Sequence, residues 1–437
     1  MAFHLTGICT PHRKNTANMS AVKMAPPNMV TIPMQMHIGA PAKPCVKAGD
    51  KVFVGTLVAQ SGGAVSSPVY SSVSGTVSKI QDILVSSGNT VSAVVIESDF
   101  AMENDPNITP PVIEKREDFI QAVKESGIVG LGGAGFPTYI KLNVNREVEE
   151  IIINGAECEP YITSDSVNMV DRAEDIAEGI VNLKKYLEPK KIIIAIEKNK
   201  PAAIKAMQNI AKDIDGVEVR ILPSRYPQGG EKVIVYATTG KQIGLGKLPI
   251  DVGSIVINVT TVATIGAYIK TGMPLTQKCI TVDGNAVNKP MNVIAPIGTS
   301  LQDVFDFCGG FNEEPQKILY GGPMMGVSVP SLDAPVLKNT NALLAFKGKM
   351  AFKPDATACI SCGACANNCP FGINPPLAQK AIRNNDMEAL NKTGIALCME
   401  CGCCSYVCPA KRPLVQNNKL AKDILKEYLN NKKEEKK

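Results

Sequence analysis

Eight cysteines near the C-terminus repeat one spacing twice, and this repeat constrains the fold more than any other feature of the chain. The runs are Cys359-x2-Cys362-x2-Cys365-x3-Cys369-Pro370 and Cys398-x2-Cys401-x2-Cys404-x3-Cys408-Pro409. This is the ligand spacing of paired bacterial-type [4Fe–4S] clusters, in which the fourth cysteine of each run binds the other cluster. The pattern predicts one cluster on Cys359, Cys362, Cys365 and Cys408, and a second on Cys398, Cys401, Cys404 and Cys369.

Zinc sites and disulfides are the other common uses of closely spaced cysteines. Zinc knuckles supply cysteines in pairs, whereas each run here supplies three and then a fourth followed by proline. A disulfide framework belongs to secreted chains, and the N-terminus lacks the pattern of a signal peptide. A ninth cysteine, Cys403, lies inside the second run. Spacing favours Cys404 as the ligand and Cys403 as a packed thiol, and an exchange of the two stays open.

The composition limits the possible classes of function. A length of 437 residues predicts about three domains, and the 45% hydrophobic content supports packed cores. The mild net charge of +5 gives no case for nucleic-acid binding. The long uncharged stretch 252–269 is too polar for a membrane span. We therefore expect no membrane span of the chain's own, and five further scattered cysteines indicate a reducing, cytoplasmic environment.

Residues 1–100 are expected to form an N-terminal β-domain. Short alternating strands and glycine turns at 46–55 and 73–80 resemble the barrel-sandwich fold of lipoyl and biotinyl carrier domains. Those carriers need a lysine at a hairpin tip, and no lysine lies between Lys51 and Lys79. We therefore expect the fold without the carrier function.

Residues 112–275 follow a linker rich in proline and asparagine, and they alternate helical patterns with apolar strands. This alternation predicts a Rossmann-like α/β domain with a largely parallel sheet. The expected strands lie at 151–153, 192–196, 217–222 and 255–257.

The remaining sequence predicts two smaller domains and a tail. Residues 276–348 are expected to form a small α+β unit with a helix that begins after Ser300. Residues 349–425 hold both cysteine runs and a helix-like segment at 377–390, which favours a helical ferredoxin domain. The mixed charges toward the end of 426–437 predict a frayed tail.

The second strong motif is the glycine-rich segment Gly130-Leu-Gly-Gly-Ala-Gly-Phe-Pro-Thr138. Glycines let backbone N–H groups approach an anion closely. The dinucleotide fingerprint of a Rossmann fold needs a strand just before such a loop, but a helical pattern at 116–126 precedes this one. The motif therefore predicts an anion site outside the ordinary dinucleotide fold, with a ligand-free turn as the alternative.

Four segments together resemble the flavin domain of the NADH-oxidising subunit of respiratory NADH dehydrogenases. They are Gly130–Lys141, Asn154–Pro160, Gly229–Glu231 and Asn258–Thr261. The resemblance implies that FMN is bound by Gly130, Gly132, Gly133, Lys141, Asn154, Glu157, Asn258 and Thr261. It also implies that NAD(H) faces Phe136, Glu159 and Glu231, which are the expected catalytic residues.

The order of the domains over residues 5–425 is similar to that of the RnfC family, whose members belong to the Rnf complexes, which are membrane-bound ferredoxin:NAD oxidoreductases. The resemblance implies a β-grasp domain of the SLBB type at 276–348. It implies electron transfer between NAD(H), FMN and two [4Fe–4S] clusters, coupled by partner subunits to Na⁺ or H⁺ translocation. The implied partners are other Rnf-type membrane subunits and a ferredoxin-like subunit, at the cytoplasmic face of the cell membrane. The segment Gly7–His12 departs from the Gly-Gly-[Ile/Val]-His-Pro of this family.

Two other functions stay open on the sequence alone. One is a soluble electron adaptor of the same domain family, which would feed a corrin protein or an amino-acid reductase. The other is a cluster-bearing scaffold with a vestigial flavin site. Sedimentation with membranes would test the first, and binding of FMN and NADH would test the second.

Overall fold

The computed structural model describes residues 7–86, 88–352 and 354–434. Two antiparallel sheets, β2-β8-β7-β4 and β3-β5-β6, share one apolar core and form the predicted barrel-sandwich. The strands are β1 (Val22–Lys23), β2 (Met29–Pro33), β3 (Lys43–Pro44), β4 (Lys51–Val52), β5 (Leu57–Gln60), β6 (Val69–Tyr70), β7 (Gly75–Leu84) and β8 (Thr90–Ser98).

The α/β domain contains a fully parallel sheet in the order β11-β10-β9-β12, as predicted. The strands β9, β10 and β12 are apolar and buried because helices cover them, whereas the edge strand β11 is partly exposed. The elements are α1 (Arg116–Glu125), α2 (Thr138–Leu142), β9 (Glu150–Gly155), α3 (Ser164–Asp171), α4 (Ala173–Leu187), β10 (Lys191–Glu197), α5 (Pro201–Asp213), β11 (Val217–Leu222), α6 (Glu231–Thr239), β12 (Ser254–Asn258) and α7 (Val259–Thr271).

The third domain has the predicted β-grasp character. Ser300 caps its helix, because its side chain accepts a hydrogen bond from the Asp303 amide at 3.0 Å. The sheet order is β1-β14-β13-β17-β15-β16, so β1 leaves the N-terminal region and pairs in parallel with β14. The elements are β13 (Gln277–Asp283), β14 (Met291–Pro296), α8 (Leu301–Phe307), β15 (Lys317–Tyr320), β16 (Val327–Ser328) and β17 (Ala342–Phe346).

The cysteine-rich domain is helical between residues 354 and 434, as predicted. The helix expected at 377–390 is interrupted at Asn385, which has a positive φ of 53°, and Asp386 caps the helix that follows. The tail at 426–437, which was expected to fray toward its end, is helical to Glu434, and residues 435–437 lie outside the described chain. The helices are α9 (Ala364–Asn367), α10 (Pro375–Arg383), α11 (Met387–Lys392), α12 (Cys403–Tyr406) and α13 (Leu414–Glu434).

The N-terminal segment before β2 ties two domains together instead of joining the barrel-sandwich. Ile8 forms a β-bridge with Tyr226 of the α/β domain. Lys14 Nζ donates to the carbonyls of Glu157 and Glu159 at 2.8 and 2.9 Å. Because β1 then joins the β-grasp sheet, the segment fixes the loop after β9 relative to both domains.

Candidate functional site

The candidate flavin site lies at the carboxyl ends of the parallel strands. The sheet runs from β9 through β10 to β11 on one side, and β12 lies on the other side of β9. Such a reversal of strand order opens the crevice where α/β sheets bind ligands. Asn154 and Asn258 are direct neighbours in register at the ends of β9 and β12. Two residues assigned to FMN by resemblance therefore meet at this crevice.

Asn258 organises the β12 side of the crevice. Its Oδ1 accepts hydrogen bonds from the amides of Thr260 and Thr261 at 3.0 and 3.2 Å, which caps α7. Its Nδ2 donates to Asp165 at 2.7 Å, and the Thr260 hydroxyl donates to the other oxygen of that carboxylate at 2.6 Å. The positive end of the α7 dipole thus faces the crevice, where it favours an anion.

The glycine-rich loop lies against this helix terminus. The Leu131 amide donates to the Thr261 hydroxyl oxygen at 3.1 Å. A β-carbon at Gly132 would overlap the Asn258 side chain, whereas Gly133 has open space around it. Gly130 closes the loop, because its amide donates to the Phe136 carbonyl at 2.9 Å. Gly132 is therefore needed for close approach of the loop to the end of β12.

Lys141 and Glu231 form an ion pair of 2.8 Å, with side chains that are 35% and 41% exposed. Lys141 also donates to the Val256 carbonyl at 3.1 Å. Resemblance assigns Lys141 to FMN and Glu231 to NAD(H). Their contact brings the two predicted sites together at an accessible place.

Glu157 supports the loop after β9 from within. Its carboxylate accepts hydrogen bonds from the Asp165 amide at 2.6 Å and from the Ser166 hydroxyl, at the start of α3. Burial raises the pKa of Glu157, and the charge of Lys14 opposes that shift. The side chain therefore orders the loop and α3, and its predicted contact with FMN stays a prediction.

Glu159 is engaged by the β-grasp domain. Its carboxylate accepts hydrogen bonds from the amides of Met324 and Met325 at 3.0 and 2.8 Å. Burial raises the pKa of Glu159 to about 7, although these two bonds favour the ionised form. Phe136, by contrast, is partly exposed. Contact of either residue with NAD(H) stays a prediction.

The thiols predicted for the second cluster surround one cavity. Its lining includes Cys369, Cys398, Cys401 and Cys404, together with Cys403. Cys369 comes from the first run, so the cavity agrees with the predicted exchange of fourth ligands. In the set predicted for the first cluster, burial raises the pKa of Cys365, and the charges of Cys408 and Cys359 act in the same direction.

The donor set of this cavity suits a [4Fe–4S] cluster, because Cys369, Cys398, Cys401 and Cys404 supply the four thiolates that one cluster needs.

Cys403 is directed toward the α/β domain. Its thiol donates to the Tyr226 carbonyl, with an S···O distance of 3.9 Å, and the residue is 1% exposed. The Tyr226 hydroxyl in turn donates to the Cys401 carbonyl at 2.7 Å. This geometry favours the sequence interpretation of Cys403 as a packed thiol.

The second cysteine run packs against the crevice. Asn154 Nδ2 donates to the Gly229 carbonyl at 2.9 Å. A β-carbon on the adjacent Gly230 would overlap Met399, which follows Cys398. One glycine pair therefore separates Asn154, a predicted flavin residue, from Met399, the residue that follows the predicted ligand Cys398. Sequence patterns did not identify Tyr226 or Met399, because single residues in loops carry no periodic signal.

The first cysteine run faces outward in the described chain. Cys359 and Cys362 are exposed, and Ile360 between them is 67% exposed. Cys401 and Cys404, by contrast, are each 8% exposed. The two predicted clusters therefore differ in access, with the second one facing the α/β domain.

Comparison with family models matches each domain in turn. The model described as "RnfC Barrel sandwich hybrid domain" matches residues 2–101, and "Nuo51 FMN-binding domain" matches residues 123–267. "SLBB domain" matches residues 279–328, and "4Fe-4S dicluster domain" matches residues 355–412. The predicted fold classes and the FMN and [4Fe–4S] cofactors are thereby confirmed.

Full-length relatives decide the family. The subunit designated C of the Na(+)-translocating ferredoxin:NAD(+) oxidoreductase complex of Acetobacterium woodii is 41% identical over 422 residues, which cover 95% of each chain. Its counterpart in the proton-translocating ferredoxin:NAD(+) oxidoreductase complex of Clostridium ljungdahlii is 39% identical over 391 residues, 87% of this chain and 85% of the relative. The chain belongs to the RnfC family. The RnfC relative from the ion-translocating oxidoreductase complex of Rhodobacter capsulatus is 36% identical over 95% of this chain and 82% of its own.

Solved structures support the fold of this RnfC family member. A chain in the crystal structure of NAD⁺-reducing [NiFe]-hydrogenase in the H₂-reduced state aligns with a TM-score of 0.50 at 18% identity. The alignment covers 69% of this chain and 61% of that chain, so the likeness concerns the fold alone. No helix within the described residues is both long enough and apolar enough to cross a membrane.

Proposed function

We propose that this protein exchanges hydride with NAD(H) at FMN in the crevice between β9 and β12, and relays single electrons through its two [4Fe–4S] clusters. The supporting observation is the packing of Gly229-Gly230 between Asn154 and Met399. This contact brings the second cysteine run next to the predicted flavin residues. A short separation of this kind suits electron exchange between the two cofactors.

Bound FMN would supply the conversion between two-electron hydride transfer and one-electron transfer. The residues of this chain would supply position and electrostatics. The α7 terminus and the glycine-rich loop would bind the anionic part of the cofactor. Lys141 lies beside Glu231, and the nicotinamide nucleotide would enter the site there.

The difference in solvent exposure between the two cysteine runs suggests the order in which electrons pass through the clusters. The inner cluster, on Cys398, Cys401, Cys404 and Cys369, would exchange electrons with the flavin. The outer cluster, on Cys359, Cys362, Cys365 and Cys408, would exchange electrons with a ferredoxin-like partner subunit. Other Rnf-type membrane subunits would hold the protein at the cytoplasmic face of the membrane and couple the electrons to Na⁺ or H⁺ translocation.

Anaerobic purification followed by NADH titration under EPR tests the proposal. The wild-type protein should contain flavin and about eight iron atoms per chain, and NADH should reduce the flavin. Cys359→Ala should remove the outer cluster and leave reduction of the inner cluster by NADH intact. Cys398→Ala should remove the inner cluster and prevent reduction of the outer cluster.

Two results would count against the proposal in different ways. Wild-type protein without bound flavin, or without NADH-dependent flavin reduction, would contradict hydride exchange at this crevice. Reduction of the outer cluster at the wild-type rate in Cys398→Ala would contradict the order of the relay. Dithionite reduction of each variant checks that the remaining cluster is intact.

A further inference from the structure

Side chains of the β-grasp domain hold the back of the glycine-rich loop. Lys278 Nζ donates to the Leu131 carbonyl at 3.1 Å, and Asn339 Nδ2 donates to the Gly133 carbonyl at 3.1 Å. Both residues lie outside the α/β domain, where all residues so far assigned to FMN are found. The β-grasp domain therefore shapes a loop that belongs to another domain.

These contacts also determine where the loop amides point. In a trans peptide, the carbonyl of one residue and the N–H of the next point in opposite directions. The Gly132 amide therefore faces away from Lys278, and the Ala134 amide faces away from Asn339. Amides turned outward by a fixed backbone form an anion-binding concavity.

The amino group of Lys278 is buried, and no carboxylate is bound to it in the described residues. The residue is 3% exposed, and Nζ has one hydrogen-bond partner there, the Leu131 carbonyl. The amide of the same Leu131 donates to Thr261, which follows the Thr260 that is bound by Asp165. Lys278 and Asp165 therefore lie on opposite sides of one short stretch of contacts at the glycine-rich loop.

Asp165 would disfavour an anion at the same place. Its carboxylate binds Asn258 and Thr260 at the α7 terminus, beside the glycine-rich loop. A negative charge beside the loop repels a phosphate bound there, and a buried positive charge nearby offsets that repulsion. Lys278 has the position and the sign needed for this compensation.

We infer that Lys278 of the β-grasp domain is a positioning residue for FMN, which orients the glycine-rich loop and balances Asp165 so that the phosphate of the flavin can bind. The inference rests on the proposed function, because it requires FMN at this loop. It adds a contribution of the third domain to a site otherwise built by the second.

The test compares FMN with riboflavin, which lacks the phosphate. Flavin-depleted protein is titrated with each compound, and binding is followed by quenching of flavin fluorescence. Lys278→Met should weaken FMN binding on the order of tenfold or more, with a much smaller effect on riboflavin. Lys278→Arg should restore most of the FMN affinity, because it retains the charge.

Three further variants separate charge from loop shape. Asn339→Ala removes a loop contact without changing charge, so it should reduce the preference for FMN over riboflavin less than Lys278→Met does. Lys289→Met removes an exposed lysine of the same domain and should affect neither. Lys278→Met combined with Asp165→Asn should recover part of the FMN affinity. Iron content and thermal unfolding show whether each variant is folded.

The outcomes distinguish this inference from the proposed function. Wild-type protein that binds no FMN would overturn the proposed function itself. Wild-type protein that binds FMN, with an unchanged preference for FMN over riboflavin in Lys278→Met, would overturn the inference alone. An equal loss of that preference in Asn339→Ala would assign the effect to loop shape and would also overturn it.

Discussion

The hydroxyl of Tyr226 donates a 2.7 Å hydrogen bond to the backbone carbonyl of Cys401. Tyr226 belongs to the α/β domain and is 1% exposed, and Cys401 is a predicted ligand of the inner cluster. The same tyrosine accepts a hydrogen bond from the Cys403 thiol through its carbonyl. One residue of the flavin-binding domain thus holds the second cysteine run at two points.

Tyr226→Phe should loosen this docking without removing either cluster. The change leaves the Cys401 carbonyl without its partner, at a cost of about 1–3 kcal/mol. We expect normal iron content and slower reduction of the inner cluster by NADH in rapid-freeze EPR. Tyr406→Phe is a matched control, because Tyr406 lies in the cysteine-rich domain near the same run and is 47% exposed. Equal rates in Tyr226→Phe and wild type would contradict the role.

Cys403→Ser should retain both clusters. Its thiol bonds to the Tyr226 carbonyl, and a serine hydroxyl can donate to the same oxygen. We expect about eight iron atoms per chain in Cys403→Ser and a loss of about half in Cys404→Ser, measured by iron and sulfide assay. Loss of iron in Cys403→Ser, with full iron content in Cys404→Ser, would show that the two residues exchange roles.

Regular patterns explain which parts of the fold were predictable from sequence. The apolar run Ile151–Ile153 could only be a buried strand in an alternating α/β segment, and it lies in β9. Cysteine spacing was equally informative, because four thiolates must converge on each cluster. The break at Asn385 was not predicted, since one residue with positive φ leaves little trace in helical periodicity.

Contacts between distant segments explain what the sequence left hidden. Lys278 and Leu131 are 147 positions apart, and Tyr226 and Cys401 are 175 positions apart. Neither pair has a repeating spacing, so neither carries a local signal. Glu159 was assigned to NAD(H) from its segment alone, and only the fold shows that the β-grasp loop binds its carboxylate.

Glu159→Ala should release the loop at residues 321–326 from the α/β domain. Above pH 7, where the Glu159 carboxylate is ionised, the variant removes a charged acceptor from two amides, each such bond contributing about 1.5–3 kcal/mol. Hydrogen exchange of the Met324 and Met325 amides should therefore become faster, as measured by mass spectrometry of peptides that cover the loop. Glu231→Ala should leave this exchange unchanged, because Glu231 pairs with Lys141 instead. Unchanged exchange in Glu159→Ala would contradict the docking role.

Lys338 predicts a pH dependence of stability that can be measured near neutral pH. It is 1% exposed and donates to the Ser67 hydroxyl and to the Pro68 and Gly127 carbonyls at 3.1, 2.6 and 2.7 Å. Burial lowers its pKa from 10.5 to about 7. Above pH 7 the folded protein has released a proton that the unfolded chain retains up to its own pKa. The contribution of this group to stability therefore rises with pH by about 1.4 kcal/mol per pH unit.

Lys338→Met cannot titrate, so the comparison with wild type isolates this effect. The thermal unfolding midpoint of wild type should rise relative to that of Lys338→Met as the pH is raised from 7 to 9. The ammonium form of Lys338 can donate all three hydrogen bonds, and the neutral amine can donate two. This change accompanies the titration of Lys338 and is already contained in its pKa, so it adds no separate slope to the comparison. For Lys289→Met, a change at an exposed position, the unfolding midpoint should depend on pH as it does in wild type. Parallel curves for Lys338→Met would mean that Lys338 stays charged in the folded protein at pH 9, held by its three oxygen acceptors.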